Sequence, residues 1–132
     1  MSSEQRNVDI LEHIIEYCNQ IEQMQERFGN AFESFSGDKA YQNAVAMCIL
    51  QIGELSSNFS DTFRTNFNGV PWKQIRDMRN IIAHRYGSVD VKKTWETVTD
   101  DIPGLKEYCE GILGQYTILG QEVPPVEGAD ED

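Results

Sequence analysis

Apolar residues recur along this chain at intervals of three and four, the period of helices with one buried face, almost from end to end. Between Asn7 and Phe28 the stripe is Val8, Leu11, Ile14, Ile15, Cys18, Ile21 and Met24. The stretch from Gly29 to Gly37 is looser, carries Phe32 and Phe35, and ends in a helix breaker. Asp38 reads as the N-cap of a second long helix, Lys39 to about Ser57, with Tyr41, Val45, Met47, Cys48, Ile52 and Leu55 apolar. Ser60 to Phe67 predicts a short helix closed by Asn68-Gly69. Pro71 opens the next helix, which runs to Tyr86 with Gly87 as its C-cap. Asp90 caps a helix through Trp95; Asp100-Asp101-Ile102-Pro103-Gly104 then interrupts, and a last helix covers about Leu105 to Ile118. No strand-like alternation and no internal repeat competes with this pattern. The expected architecture is all-α, a compact antiparallel bundle of four to five helices. Residues 1–118 form the expected domain, and the acidic, polar segment 119–132 is expected to be a disordered tail.

The helix over 71–86 does not close into a single apolar face. With Trp72 at zero and about 100° per residue, Ile75 falls at about 300°, Met78 at about 240°, Ile82 at about 280° and Tyr86 at about 320°. Arg79 falls at about 340°, inside that arc, while Ile81 projects at about 180°, on the opposite side. Burying a guanidinium without a partner costs several kcal/mol, so Arg79 calls for a carboxylate, and Glu54 in Ile52-Gly53-Glu54 is the candidate. A helix that is apolar on two sides is covered on both, and a second subunit is the expected cover. Asn80 and His84, four residues apart, share a third sector. His84 stands in the last turn, where unpaired carbonyls favour the imidazolium. Two readings stay open from the residues alone. One is a core arginine paired with a buried carboxylate beside a surface histidine. The other is a phosphate-handling pair of a guanidinium and an imidazole, shared across a twofold axis because one copy converges poorly. Tyr86 likewise reads either as packing on the Met78–Ile82 stripe or as a phenol open to modification.

Composition adds bounds rather than chemistry. The chain has 132 residues, 39% hydrophobic and 25% charged, which suits one globular domain. Cys18, Cys48 and Cys109 lie far apart among apolar residues, without metal-ligand spacing, and read as small core side chains in a reducing cytoplasm. No secretory signal and no membrane span is expected. The net charge of −11 argues against general affinity for nucleic acid. It is uneven, however: from Arg64 to Lys93 there are seven basic and two acidic residues, so cations gather in sequence around the Arg79 helix.

The segment Arg79-Asn80-Ile-Ile-Ala-His84-Arg-Tyr86 resembles the R-x4-H-x-Y motif of HepT-like proteins within the HEPN superfamily. Ile52-Gly53-Glu54, Val70-Pro71-Trp72 with Ile75 and Met78, Gly87-Ser-Val89-Asp90, Trp95-Glu-Thr and Asp101-Ile-Pro-Gly-Leu-Lys follow in that family's order and spacing, over about Asn7 to Ile118. The resemblance implies a cytoplasmic homodimer, the toxin of a prokaryotic type VII-like toxin–antitoxin pair. It implies a metal-independent endoribonuclease without cofactor, with a composite site at the dimer interface. His84 would be the general acid/base and Arg79 the phosphate ligand, with Asn80 and Glu54 in support. Tyr86 would be the residue to which a minimal nucleotidyltransferase antitoxin transfers AMP. The alternative is a non-catalytic dimeric helical partner of such a nucleotidyltransferase, serving as a nucleotide-binding or scaffold module.

Overall fold

A computed structural model describes residues 2–82 and 89–122. Within them the chain is helical and without β-strands. The helices are α1 (Ser3–Phe28), α2 (Phe32–Ser36), α3 (Lys39–Ser56), α4 (Asp61–Asn66), α5 (Trp72–Ile82), α6 (Val91–Glu96) and α7 (Ile102–Glu122), with a π-helical turn over Thr97–Asp101. Four of these are long, and the all-α bundle expected from the periodicity is present, with three short helices added at its corners.

Local chemistry explains the boundaries. Asp38 accepts from the Tyr41 N–H, Ser60 from Phe63 and Asp90 from Lys93, so each satisfies an orphan donor of the helix it opens. The first helix begins at Ser3 rather than Asn7, because the Ser2 hydroxyl caps it by accepting from Gln5. Its first turn is exposed and so left no apolar signal. Gly29 ends it at φ 112°, a left-handed conformation that glycine adopts without cost. The loose stretch contains α2, held by Gln42, whose side-chain amide donates to the Phe35 and Ser36 carbonyls at 2.9 and 3.0 Å. Phe35, Tyr41 and Trp95 then lock α2, α3 and α6 together, with ring centroids 5.0–6.4 Å apart.

The break expected at Asp100–Gly104 is instead a continuous passage. The Ile102 N–H reaches back five residues to the Thr97 carbonyl, widening the helix by one residue ahead of Pro103. Proline lacks a donor and its ring crowds the carbonyl four residues earlier, and the wider turn makes room for both defects. The Thr99 hydroxyl donates to the Trp95 and Glu96 carbonyls. The helix that follows runs to Glu122, past the expected end near Ile118.

Packing runs in the order α5, α3, α1, α7: α3 lies between α5 and α1, and α1 packs on α7. Leu11, Ile14, Cys18, Ile21, Ile49, Ile52, Val98, Ile102, Cys109 and Ile112 form the centre, each at most 2% exposed. All three cysteines are buried core side chains, as their apolar neighbours predict. Lys106 and Glu22 tie α7 to α1 across the rim at 2.9 Å. No helix among the described residues is long and apolar enough to cross a membrane.

Candidate functional site

The start of α5 is fixed by an aromatic cluster. Phe59 stacks on Phe63 at 4.1 Å, and Trp72 packs against both. The Trp72 indole N–H donates to the Phe67 carbonyl. The Gly69 N–H donates to the Tyr108 hydroxyl at 2.8 Å, and a Cβ at Gly69 would strike that ring at 2.4 Å. Pro71 is the residue before the helix rather than its first turn: its carbonyl accepts from Ile75, and it has no donor to leave orphaned. Trp72, Ile75 and Met78 are buried, which bears out the apolar arc of the helical wheel.

Where α5 crosses α3, the contact is made through Gly53. A Cβ built there would lie 3.1 Å from the Arg76 carbonyl oxygen, 3.3 Å from that of Ile75 and 3.5 Å from the Arg79 Cβ. The two helices therefore meet backbone to backbone, and the stem of Arg79 starts against the α3 main chain. At the next residue of α3, Glu54, the carboxylate accepts from Arg79 Nη1. The predicted partner is thus correct, but its setting is not the predicted core. The Arg79 side chain is 40% exposed and that of Glu54 60%. Arg79 falls inside the arc, but only its apolar stem packs on α3, and the long side chain carries the charged head out to the rim. A pair this exposed is screened by water and contributes about 0–1 kcal/mol. Asn80 is exposed. His84 and Tyr86 lie outside the described residues, as does the side chain of Ile81, on which the second apolar face rests.

The described basic residues near α5 in sequence have different partners. Arg64 bonds Asp61 and the Phe59 carbonyl, and Arg76 meets Asp77 at 3.5 Å. Lys93 instead lines a cleft of about 860 Å³ between α5, the π-helical turn and α7. That cleft also holds Glu96, Asp100, Asp101 and Glu107, and none of Arg79, Asn80 or Glu54. Burial, and then the neighbouring Asp100, push the Asp101 carboxyl above the ordinary carboxylate range, with Lys93 opposing. An anionic cleft of this kind is a poor seat for a polyanion.

A guanidinium has five N–H donors in a planar fork that matches a phosphate in bidentate fashion. Among the described residues only Glu54 accepts from Arg79, and it does so at Nη1 alone. No side chain among the described residues accepts from its Nε or Nη2. Among the described residues, no three His, Cys, Asp or Glu side chains are grouped to hold a metal ion. Sequence reasoning found Arg79 and Glu54 but missed Gly53 as the residue that brings them together. The signal was a glycine inside a helix, which costs about 1 kcal/mol against alanine and so asks for a packing reason.

Comparison with known proteins gives the family. The ribonuclease HepT-like family profile matches residues 14–112, which include Gly53, Glu54, Arg79 and His84. The chain is 39% identical over 104 residues to the "Probable ribonuclease HepT" of Thermococcus cleftensis, covering 79% of this chain and 93% of that protein. It is 36% identical over 104 residues to a "Putative RNase" of Caldanaerobacter subterraneus subsp. tengcongensis, covering 78% and 90%. A "Gamma-glutamylcyclotransferase and putative RNase" of Methanocaldococcus jannaschii is 39% identical over 103 residues, covering 78% of this chain but only 46% of that longer protein. No solved structure matches significantly. By the profile match and these relatives, the chain belongs to the ribonuclease HepT-like family.

Proposed function

We propose that this chain is an endoribonuclease that needs no metal and acts as a homodimer, the toxin of a type VII-like prokaryotic toxin–antitoxin pair in the cytoplasm. The observation that carries the reading is the Arg79 guanidinium, held at the α3–α5 rim by one contact to Glu54, five residues before His84 in a family-matched chain. In the reaction, His84 accepts the proton of a ribose 2′-hydroxyl as its oxygen attacks the adjacent phosphorus. The bond to the 5′-oxygen breaks and that oxygen is protonated in turn. The products are a 2′,3′-cyclic phosphate and a 5′-hydroxyl. Arg79 binds the non-bridging oxygens and stabilises the charge that builds on them. Asn80, next to Arg79 on the exposed side, orients the phosphate or the imidazole.

Tyr86 is the control point. A minimal nucleotidyltransferase antitoxin transfers AMP from ATP to its phenolic oxygen, releasing pyrophosphate. The added phosphate neutralises Arg79 and blocks RNA. Supporting evidence comes from the names of the relatives and from the local chemistry of Arg79. The assay is cleavage of RNA in chelator by wild type and by His84→Ala. Loss of cleavage in the variant is the expected result, and equal cleavage by both contradicts the role of His84. Light scattering should give the mass of a dimer, and intact mass after co-expression with the neighbouring nucleotidyltransferase should rise by whole AMP units mapped to Tyr86.

One observation favours a second reading, a non-catalytic dimeric partner of the nucleotidyltransferase. The chain carries −11, which limits general RNA affinity. Expression of verified unmodified protein separates the two. Toxicity abolished by Arg79→Ala supports the enzyme, and harmless expression supports the module.

A further inference from the structure

We infer that the cleft between α5 and α7 is a binding site for a linear polyamine, a flexible chain of ammonium groups joined by short methylene runs. The inference stands apart from the ribonuclease reading and is tested by binding alone. The cleft exists because its two walls pack elsewhere: α5 on α3 and α6, and α7 on α1 and the π-helical turn. Its volume of about 860 Å³ is that of a small-molecule site, and the buried Ile75, Met78, Leu105 and Ile112 give it an apolar floor. Four carboxylates stand against the one ammonium of Lys93, a formal charge of −3. Among the described residues none of the four is ion-paired. Glu96, Asp100, Asp101 and Glu107 are strung along the continuous passage from α6 into α7, over about 16 Å at the rise of a helix. They are not gathered to hold a metal ion, and an extended row of anions matches an extended row of cations.

Two further features belong to the same space. Thr97 lines the cleft at 6% exposure, and its hydroxyl makes no hydrogen bond among the described residues. A buried hydroxyl without a partner is costly, and an ammonium N–H donating to it supplies the missing bond. Gly104 and Gly111 stand on the α7 wall, and nothing lies within 4 Å of a Cβ at either. Glycine weakens a helix, and no neighbour among the described residues requires its small size here. Methylenes laid along α7 do require it, since they approach the helix backbone at both glycines and continue over the apolar floor. Burial and then Asp100 hold the Asp101 carboxyl above the ordinary range, and an ammonium between the two relieves the repulsion.

The test is isothermal titration of spermidine into the full chain, at about 0.15 M salt so that distant charges are screened. Wild type should show one site per chain, bound at least about tenfold more tightly than hexaamminecobalt(III), a compact trication of equal charge. Thr97→Val keeps the shape and removes the hydroxyl, so it should bind several-fold more weakly while melting no lower than wild type. Gly111→Leu should fill the wall and weaken binding at least about tenfold, while Gly114→Leu, off the cleft, should not. Lys93→Gln should tighten binding, and Lys39→Gln, an equal change of net charge at an exposed position of α3, should leave it unchanged. Equal affinity for the two trications, or equal effects of the two lysine changes, overturns the inference, because a chain of −11 is then only collecting counterions. Wild-type affinity in both Thr97→Val and Gly111→Leu also overturns it, by placing the polyamine elsewhere. An amphipathic helical peptide of lysine and leucine that binds wild type but not Gly111→Leu, where spermidine binds neither, overturns it in favour of a protein partner.

Discussion

Replacing Gly53 by alanine sets two effects of known size against each other. Alanine is favoured over glycine inside a helix by about 1 kcal/mol, which alone makes the change stabilising. The new Cβ, however, lies 3.1 Å from the Arg76 carbonyl oxygen and 3.3 Å from that of Ile75. Both are main-chain atoms of α5, so no flexible side chain can swing aside, and the whole helix must retreat by a few tenths of an ångström. Overpacking of this kind costs about 1–3 kcal/mol. The net expectation is a loss of up to about 2 kcal/mol; at about 4 °C per kcal/mol that is a melting temperature as much as about 8 °C lower. Gly111 and Gly114 on α7 are the internal control. Nothing lies within 4 Å of a Cβ at either, so alanine there should raise the melting temperature by about 2–4 °C. Circular dichroism melts of the three variants make the comparison. A Gly53→Ala protein stabilised as much as Gly111→Ala would refute the close crossing of α3 and α5, and with it the reason Glu54 meets Arg79.

Further outcomes follow from the same packing. Tyr108→Phe removes the acceptor for the Gly69 N–H at 2.8 Å and should cost about 0.5–1.5 kcal/mol, read as a lower denaturation midpoint. Ile52→Ala, at a fully buried position next to Gly53, should cost about 2–5 kcal/mol by leaving a cavity under the crossing. Burial pushes the Cys18 and Cys109 thiols up to about 12 and Cys48 to about 11, from an ordinary value near 9. At pH 8 the native protein should therefore resist a thiol reagent that labels all three cysteines once it is unfolded. The same shifts fix the sign of the alkaline response. The native state holds these protons longer than the unfolded chain, so their contribution is complete below about pH 9 and is lost as pH rises from there towards about 12. Stability that increases across that range would contradict the burial.

What was legible in the sequence was local. The caps at Asp38 and Asp90 could be read because a side-chain oxygen three residues before an N–H is a matter of neighbouring residues. The apolar arc of α5 could be read because burial follows helical period. The Arg79–Glu54 pair was legible as a pair, since a cation inside an apolar arc needs an anion. Its exposure was not, because that depends on how closely α3 approaches, and Gly53 sets the approach through the backbone of another helix. The π-helical turn was misread for a related reason. A proline in mid-pattern signals a break, and whether a wider turn absorbs it depends on Thr99 and on packing against α7. The described residues of the basic run between Arg64 and Lys93 are divided among different partners. Adjacent helices turn neighbouring residues to opposite flanks, so Lys93 faces an acidic cleft while Arg79 faces α3.

The central claim is that Arg79 is the phosphate ligand of a ribonuclease. Its most direct test is end-group analysis of RNA cut in chelator by wild type and by Arg79→Ala. Because the Arg79–Glu54 pair contributes at most about 1 kcal/mol, the variant should melt within a few degrees of wild type. Wild type should leave 2′,3′-cyclic phosphate and 5′-hydroxyl ends, and the folded variant should lose at least about 100-fold in rate. Equal cleavage by the variant, or products ending in a 3′-hydroxyl, would contradict the account.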